Sequence, residues 1–568
     1  MSAEAQGGPL IDPADPQRPE LFPKLREAQL ARLRPLGQVR SFRAGEAIWE
    51  QGQRNVSFFV ILEGTIEVVT RTAMGVRLVA VEGAGEFGGE ADLLSGRPAM
   101  GSARARIDSR LLEIPHEAFR SLLTTDAEIG ELVLRALLLR RTNLLTHAQG
   151  DVVLVGSSHS AQMLELQEFL TRNGRPHVTL DVERDERTQG LLDTWHIGVD
   201  ETPVVICRGT SVLRKPSVEQ LADCLGLRAD LRTEVVRDLV IVGAGPAGLS
   251  AAVYAASEGL DVLVLESHAP GGQAGSSSRI ENYLGFPTGV SGLDLAGRAF
   301  AQAEKFGAEI GIARSASKLW CEERPYQVEL ADGVRVRARA VIVATGARYR
   351  KPALKDLSRF EGSGIYYGAT HVEGMLCQGE DVVIVGGANS AGQAAVYLSG
   401  HARRVHVLVR GAGLASSMSR YLIRRIAETP NIEVHTRTEL QSLEGKEHLE
   451  RIVWREPDGT PSSRPIRHVF LMTGAQPNTE WLGGCLALDA AGFILTGTDL
   501  LPEVVGAGGA GGAGGPGHSP TRVPALFETS LPGVFAVGDV RASSVKRVAS
   551  AVGEGSICIQ LVQKALAT

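Results

Sequence analysis

Six cysteines are spread over 568 residues, Cys207, Cys224, Cys321, Cys377, Cys485 and Cys558, and none forms a C-x-x-C pair. That spacing supplies neither a zinc centre nor a local redox dithiol. The expectation is six small, buried, reduced side chains and no metal. Also missing is any apolar run near the roughly 20 residues that a spanning helix needs. The start, "MSAEAQGGPLIDPADPQRPE", lacks the basic and apolar regions of a signal peptide. Excess charge is absent too: a net charge of −6 with 22% charged residues gives no nucleic-acid or membrane surface. A soluble cytoplasmic protein acting on small molecules or on other proteins is expected.

What is present is length and glycine. A chain of this size exceeds what one core supports, and three or four folding units are expected. Residues 1–20 form a polar, proline-rich leader. From 21 to 147, brief apolar runs are separated by Gly45, Gly52 and Gly64 and followed by the leucine-rich "EIGELVLRALLLRRTNLLTHA", the pattern of a β-barrel or jelly roll with a closing helix. Residues 151–228 read as strand, amphipathic helix, strand and strand, the last after Thr202-Pro203. The stretch "GAGGAGGAGGPGHSP", within 506–520, is too rich in glycine to bury apolar surface and reads as a loop.

The strongest chemical signal is "RDLVIVGAGPAGLSAAVYAASEGLDVLVLES". A β-branched strand enters Gly243-x-Gly245-x-x-Gly248, a helix follows, and a second strand ends at Glu266. The first glycine makes the turn, the second admits a pyrophosphate, the third packs helix on strand, and the acid accepts from a ribose. A second turn of this kind, "DVVIVGGANSAG", carries Gly386, Ala388, Asn389, Ser390 and Ala391, with alanine at two glycine positions. After its second strand no acid stands ready for a free 2′-hydroxyl, whereas Arg410, Ser416, Ser417 and Arg420 suit a 2′-phosphate, favouring NADPH over NADH.

Together with "APGGQAGSSSRIENYLGFP", "VIVATGA", "ETSLPGVFAVGDV" and "KRVASAVGEGS", these turns resemble the bacterial low-molecular-weight thioredoxin reductases from Arg237 to the C-terminus. The first unit resembles the cyclic-nucleotide-binding domain and the second a thioredoxin or glutaredoxin fold, so the whole chain is similar to fusions of these three. The implied class is multidomain α/β, with a two-domain flavoprotein of Rossmann type: an FAD-binding part at 237–355, an NAD(P)H-binding domain at 356–479 and a second FAD-binding part at 480–568. By that resemblance Gly271, Gly272 and Gln273 lie along the flavin, Asn282 near its ring, Thr345 and Gly346 at the exit strand, Gly538 and Asp539 at the ribityl and pyrophosphate end, and Arg547 and Val548 at the pyrimidine side. The residue pattern agrees for Asp539, an acid placed at a strand end. Pairing of two chains is also implied.

Three departures from these families narrow the function. The cyclic-nucleotide pattern needs an arginine after a proline, and Ala99 follows Pro98. Gly89 and Glu90 fit, and Arg97 or Arg104 is left as a substitute, so a cyclic nucleotide stays open beside a ligand-free structural or dimerising role. The thioredoxin-like turn "GSSHSAQ", Gly156 to Gln162, has serines and His159 where the family has cysteines. In "GIYYGATHVEG" the reductases' two cysteines are replaced by Gly368 and His371. The expected function is FAD-dependent NAD(P)H oxidation with a small-molecule or protein acceptor other than a dithiol, and His371 is a candidate proton donor. Disulfide reduction with a thiol from elsewhere, and a redox- or nucleotide-responsive signalling role, are the alternatives.

Overall fold

The computed structural model describes residues 18–72, 75–89, 98–146, 152–157, 160–182, 188, 198, 201–207, 211–228, 231–277, 279–280, 282–361, 363–369, 371–415, 417–446, 448–500 and 523–567. The glycine-rich loop, the leader up to residue 17, and Glu90, Arg97, Ser158, His159 and Ser416 lie outside these. Compactness divides the chain into two units. One comprises 1–158, 165–230 and 301–313; the other comprises 159–164, 231–300 and 314–568. Among the described residues no helix is long and apolar enough to cross a membrane.

In the first unit, eight N-terminal strands form two four-stranded antiparallel sheets. One is ordered Gln38–Phe42, Ser109–Ile114, Phe58–Glu63, Phe87–Gly88, and the other Ala47–Trp49, Ser102–Ala105, Thr65–Thr72, Gly75–Gly83. Their shared core holds Trp49, Phe58, Phe59, Phe87 and Phe119, with the Phe58 and Phe119 rings stacked at 4.4 Å. Helix α1, Ala127–Thr146, lays Ile129, Val133, Ala136 and Leu137 on that core at helical spacing. The same helix buries a charge. Arg140 Nε donates to Leu21 O (2.8 Å) and an Nη to Phe87 O (3.0 Å), and its guanidinium sits 3.6 Å from Glu82. Further along the chain, a four-stranded sheet runs His177–Asp181, Val152–Gly156, Val204–Cys207, Ser211–Arg214, and the Thr202–Pro203 peptide is cis.

The second unit contains two parallel-sheet nucleotide folds. In the first, β1 (Val236–Val242), α2 (Pro246–Ser257) and β2 (Val262–Glu266) make a β-α-β turn, and β3 (Arg335–Val343) lies parallel on the other side of β1. The chain then leaves through β4 (Ala347–Tyr349). A short helix α3 (His371–Leu376) precedes β5 (Asp381–Val385), α4 (Asn389–Ser399), β6 (Arg404–Val409), α5 (Arg420–Glu428) and β7 (Ile432–Thr436). Strand β8 (Leu449–Arg455) belongs to a three-stranded antiparallel sheet, and β9 (His468–Leu471) inserts beside β5. The chain returns through β10 (Ala475–Pro477), which pairs antiparallel with β4. Strand β11 (Val534–Ala536) then completes the first fold beside β3, and α6 (Val548–Leu566) packs along α2. The flavin-type fold is thus interrupted by the nicotinamide-type fold, and both crossings run through one ribbon.

One expectation fails here. Cys321 and Cys485 are not reduced: they form a disulfide with Cα atoms 6.1 Å apart. They are 164 residues apart in sequence, and the fold brings the end of strand Ala316–Trp320 against the Glu480–Leu482 turn, a proximity that cysteine spacing cannot reveal.

Candidate functional site

The first turn is built as the G-x-G-x-x-G pattern requires. Leu239, Val240 and Ile241 of β1 are fully buried, which fixes the strand that delivers the chain to Gly243. Gly243 has φ +105°, a conformation open to glycine. A Cβ on Gly248 would fall 1.9 Å from Gly243 O, so strand and helix meet backbone to backbone. Gly245, the N-cap of α2, is different: the nearest atom to a Cβ there is 3.9 Å away. A bare cradle therefore faces the first-turn amides of α2, which have no intrahelical acceptors and suit an anion. Glu266 is buried and accepts from Ala244 N (2.8 Å) and His268 N (2.9 Å), so it clamps the turn while keeping lone pairs for a hydroxyl donor.

Most of the residues expected around a flavin converge on this turn. Gly271 N donates to Ala244 O (2.7 Å), bringing Gly272 under Gly245, and the Gln273 amide donates to Ala347 O at the start of β4. Gly538 N donates to Glu554 Oε2 (2.6 Å), and Ser250 Oγ to Val552 O (2.8 Å), which hold 538–548 and α6 against α2. Arg547 is the N-cap of α6 and Val548 its first residue. Burial keeps the Asp539 carboxyl above its ordinary range, opposed by Lys546. Asn282 is not brought in: it is exposed, and no hydrogen bond among the described residues ties it to the turn.

Thr345 and Gly346 play a part the sequence did not reveal. Thr345 Oγ1 donates to Asn478 O (2.8 Å), Asn478 Nδ2 donates to Thr345 O (2.8 Å), and Asn478 N donates to Gly346 O (3.1 Å). These bonds pin the two crossings together. Asn478 went unnoticed because its partner is 133 residues away.

In the second turn, Gly386 has φ +149° and presses on the chain just past β9, where a Cβ would lie 2.4 Å from Met472 O. Ala388, the N-cap of α4, has φ −98°, an ordinary value, which explains why alanine serves there; Ala391 is fully buried against the core. Asn389 Oδ1 accepts from Ser419 N (2.8 Å), and Ser417 Oγ donates to Gly387 O (2.8 Å), so the loop after β6 is laced to the turn. Asn389 and Ser417 are thus positioning residues. Ser390 is exposed, as are Arg410 just after β6 and Arg420 at the start of α5, and no carboxylate among the described residues pairs with either arginine. Arg410→Ala is expected to raise KM for NADPH roughly tenfold, the loss of one charge-assisted contact, with KM for NADH unchanged. Equal effects on both donors would remove Arg410 from the 2′-phosphate site.

The segment between the turns offers space but no available thiol. A Cβ on Gly368 would meet nothing within 4 Å. His371 opens α3, though its side chain lies outside the described residues. Nearby Cys377 is fully buried, and that burial pushes its thiol up to about 11. In the N-terminal sheets Gly89 is described while Glu90 and Arg97 are not. Arg104 is paired with Glu67 on the adjacent strand and is not free to clamp a phosphate. Ala99 is buried, its N–H and C=O bonded to Gln53 and Gly52.

Comparison with known proteins matches this geometry. Residues 237–512 match the pyridine nucleotide-disulphide oxidoreductase family, and residues 39–126 the cyclic nucleotide-binding domain. The chain is 30% identical to the thioredoxin reductase of Bacillus subtilis over 58% of its own length and 95% of that protein. It is 31% identical to NADPH-dependent thioredoxin reductase 3 of Arabidopsis thaliana over 61% of its length, spanning 64% of that relative. Among solved structures, thioredoxin reductase of T. acidophilum aligns with a TM-score of 0.51 and 26% identity, over 59% of this chain and all of that one.

Proposed function

Because the chain belongs to the thioredoxin reductase-like family of FAD-dependent pyridine nucleotide oxidoreductases, we propose that it oxidises NADPH, or NADH less well, and passes the electrons to an acceptor other than a dithiol of its own. The observation that carries this reading is the segment 364–374: between two well-formed nucleotide turns it has open space at Gly368 and no cysteine, and the thiol of Cys377 just beyond it is buried. The residues fit both nucleotides. In this reading the cradle at Gly245, with Gly271 to Gln273, Gly538, Asp539, Arg547 and Val548, holds FAD. The α4 N-terminus, Arg410 and Arg420 hold the nicotinamide nucleotide. Flavin held in that cradle would supply the two-electron chemistry. The chain's own part is to position and to exclude, and His371 at the head of α3 is the proposed proton donor to the acceptor.

The N-terminal unit then serves as a sensing or docking module. Its sheet of residues 152–214 is read as thioredoxin-like, and the active species as a homodimer. The carrier of this reading is tested by anaerobic mixing with NADPH, for which fast, saturable bleaching of the flavin is expected. A variant with all six cysteines replaced should bleach as fast as the wild type and keep its activity toward quinone, ferricyanide and flavodoxin-type acceptors. No bleaching within minutes would instead leave the signalling role. Loss of acceptor turnover confined to the cysteine-free variant would restore a thiol mechanism.

A further inference from the structure

Strands β6 and β7 run parallel with His406 opposite Glu433 and Leu408 opposite His435. Residues two apart on a strand share a face, so Glu433 and His435 project together, and His406 joins them from β6. His406 Nδ1 lies 3.0 Å from His435 Nε2 and 3.4 Å from Glu433 Oε2, and His435 Nε2 lies 3.9 Å from the same oxygen. We propose that His406, Glu433 and His435 bind one divalent transition-metal ion of the zinc type.

Geometry is the main support. Ligand atoms held tetrahedrally at about 2.0–2.1 Å from an ion stand about 3.3 Å apart, so two sides of the triangle need to adjust by about 0.3 Å or less and the third by about 0.6 Å. The surroundings agree. Arg404 engages the other carboxylate oxygen, Glu433 Oε1, at 3.1 Å, which orients the acid and leaves Oε2 for an ion. Trp454 walls the site, its ring 5.6 Å from His406 and 5.2 Å from His435. The Glu433 side chain is 43% exposed and that of His435 23%, which gives an entry path and room for water as a further ligand. Two histidines and one carboxylate select imidazole-preferring ions over Mg2+ or Ca2+. Bound there, the ion would fasten β6 to β7 four residues before Arg410. The cysteine-based expectation of no metal is blind to such a site.

The test uses the full-length flavoprotein, treated with chelator, desalted and titrated with Zn2+ alone by calorimetry. One ion per chain is expected, with affinity reduced at least tenfold by His435→Ala and by Glu433→Gln, while Mg2+ gives no heat. Co2+ should develop the visible bands of a four-coordinate ion in the wild type and not in either variant. Glu433→Gln is nearly isosteric and half-exposed, so it decides the matter if His435→Ala melts early. No binding to the wild type, or undiminished binding to the Glu433→Gln protein, would show that the two imidazoles merely hydrogen-bond to each other and would overturn the proposal.

Discussion

Gly245→Ala is expected to yield a folded protein that has lost most of its flavin. Its Cβ would enter the open cradle before α2 without touching the chain, since the nearest atom is 3.9 Å away. The melting temperature of the apoprotein should therefore hardly move. A methyl group there would instead occupy the space of a pyrophosphate, weakening FAD roughly ten- to hundredfold, the 1–3 kcal/mol of an overpacked contact. Gly248→Ala should behave differently. Its Cβ would stand 1.9 Å from Gly243 O, so β1 and α2 must separate, and both flavin content and melting temperature should fall. The ratio of flavin to protein absorbance and a circular-dichroism melt read the two effects separately. Full flavin retention in Gly245→Ala would remove the pyrophosphate assignment.

The second large effect is expected in the N-terminal sheets. Arg140→Met strips donors from Leu21 O and Phe87 O and leaves Glu82 buried at 3% side-chain exposure without its cation. A cost of about 3–5 kcal/mol to the N-terminal sheets follows, the usual penalty for breaking a buried pair. Glu82 also makes that domain sensitive to pH. Burial, opposed by Arg140, raises its carboxyl from 4.5 to about 7, and Glu82 Oε2 has no hydrogen-bond partner among the described residues. Between these values the folded domain holds a proton that the unfolded chain has released. This contribution to stability is therefore fully present below pH 4.5 and is lost as pH rises through 7, a change on the order of 3 kcal/mol. Glu82→Gln should flatten the dependence in melts taken from pH 5 to 8. An unchanged slope would place the titration elsewhere.

Local signals made the nucleotide turns legible, because a strand, a spaced set of glycines and a helix lie within some thirty residues. Ala388 even reads correctly as a substitute for glycine, since its φ is ordinary. What could not be read depends on distant partners. Asn478 answers Thr345 across the insertion, Cys321 finds Cys485, and Ser419 finds Asn389. Each residue is unremarkable in its own stretch and acquires a role only when the sheets close. Arg104 teaches the converse: as a residue type it suits a phosphate, but its strand neighbour Glu67 already neutralises it.

The ribbon of β4 and β10 has a topological meaning. The insertion's entry and exit strands lie side by side and are cross-bonded through Thr345 and Asn478. The nicotinamide-type fold therefore begins and ends at one place on its host, and its two ends are near enough to be spliced should the insertion be removed.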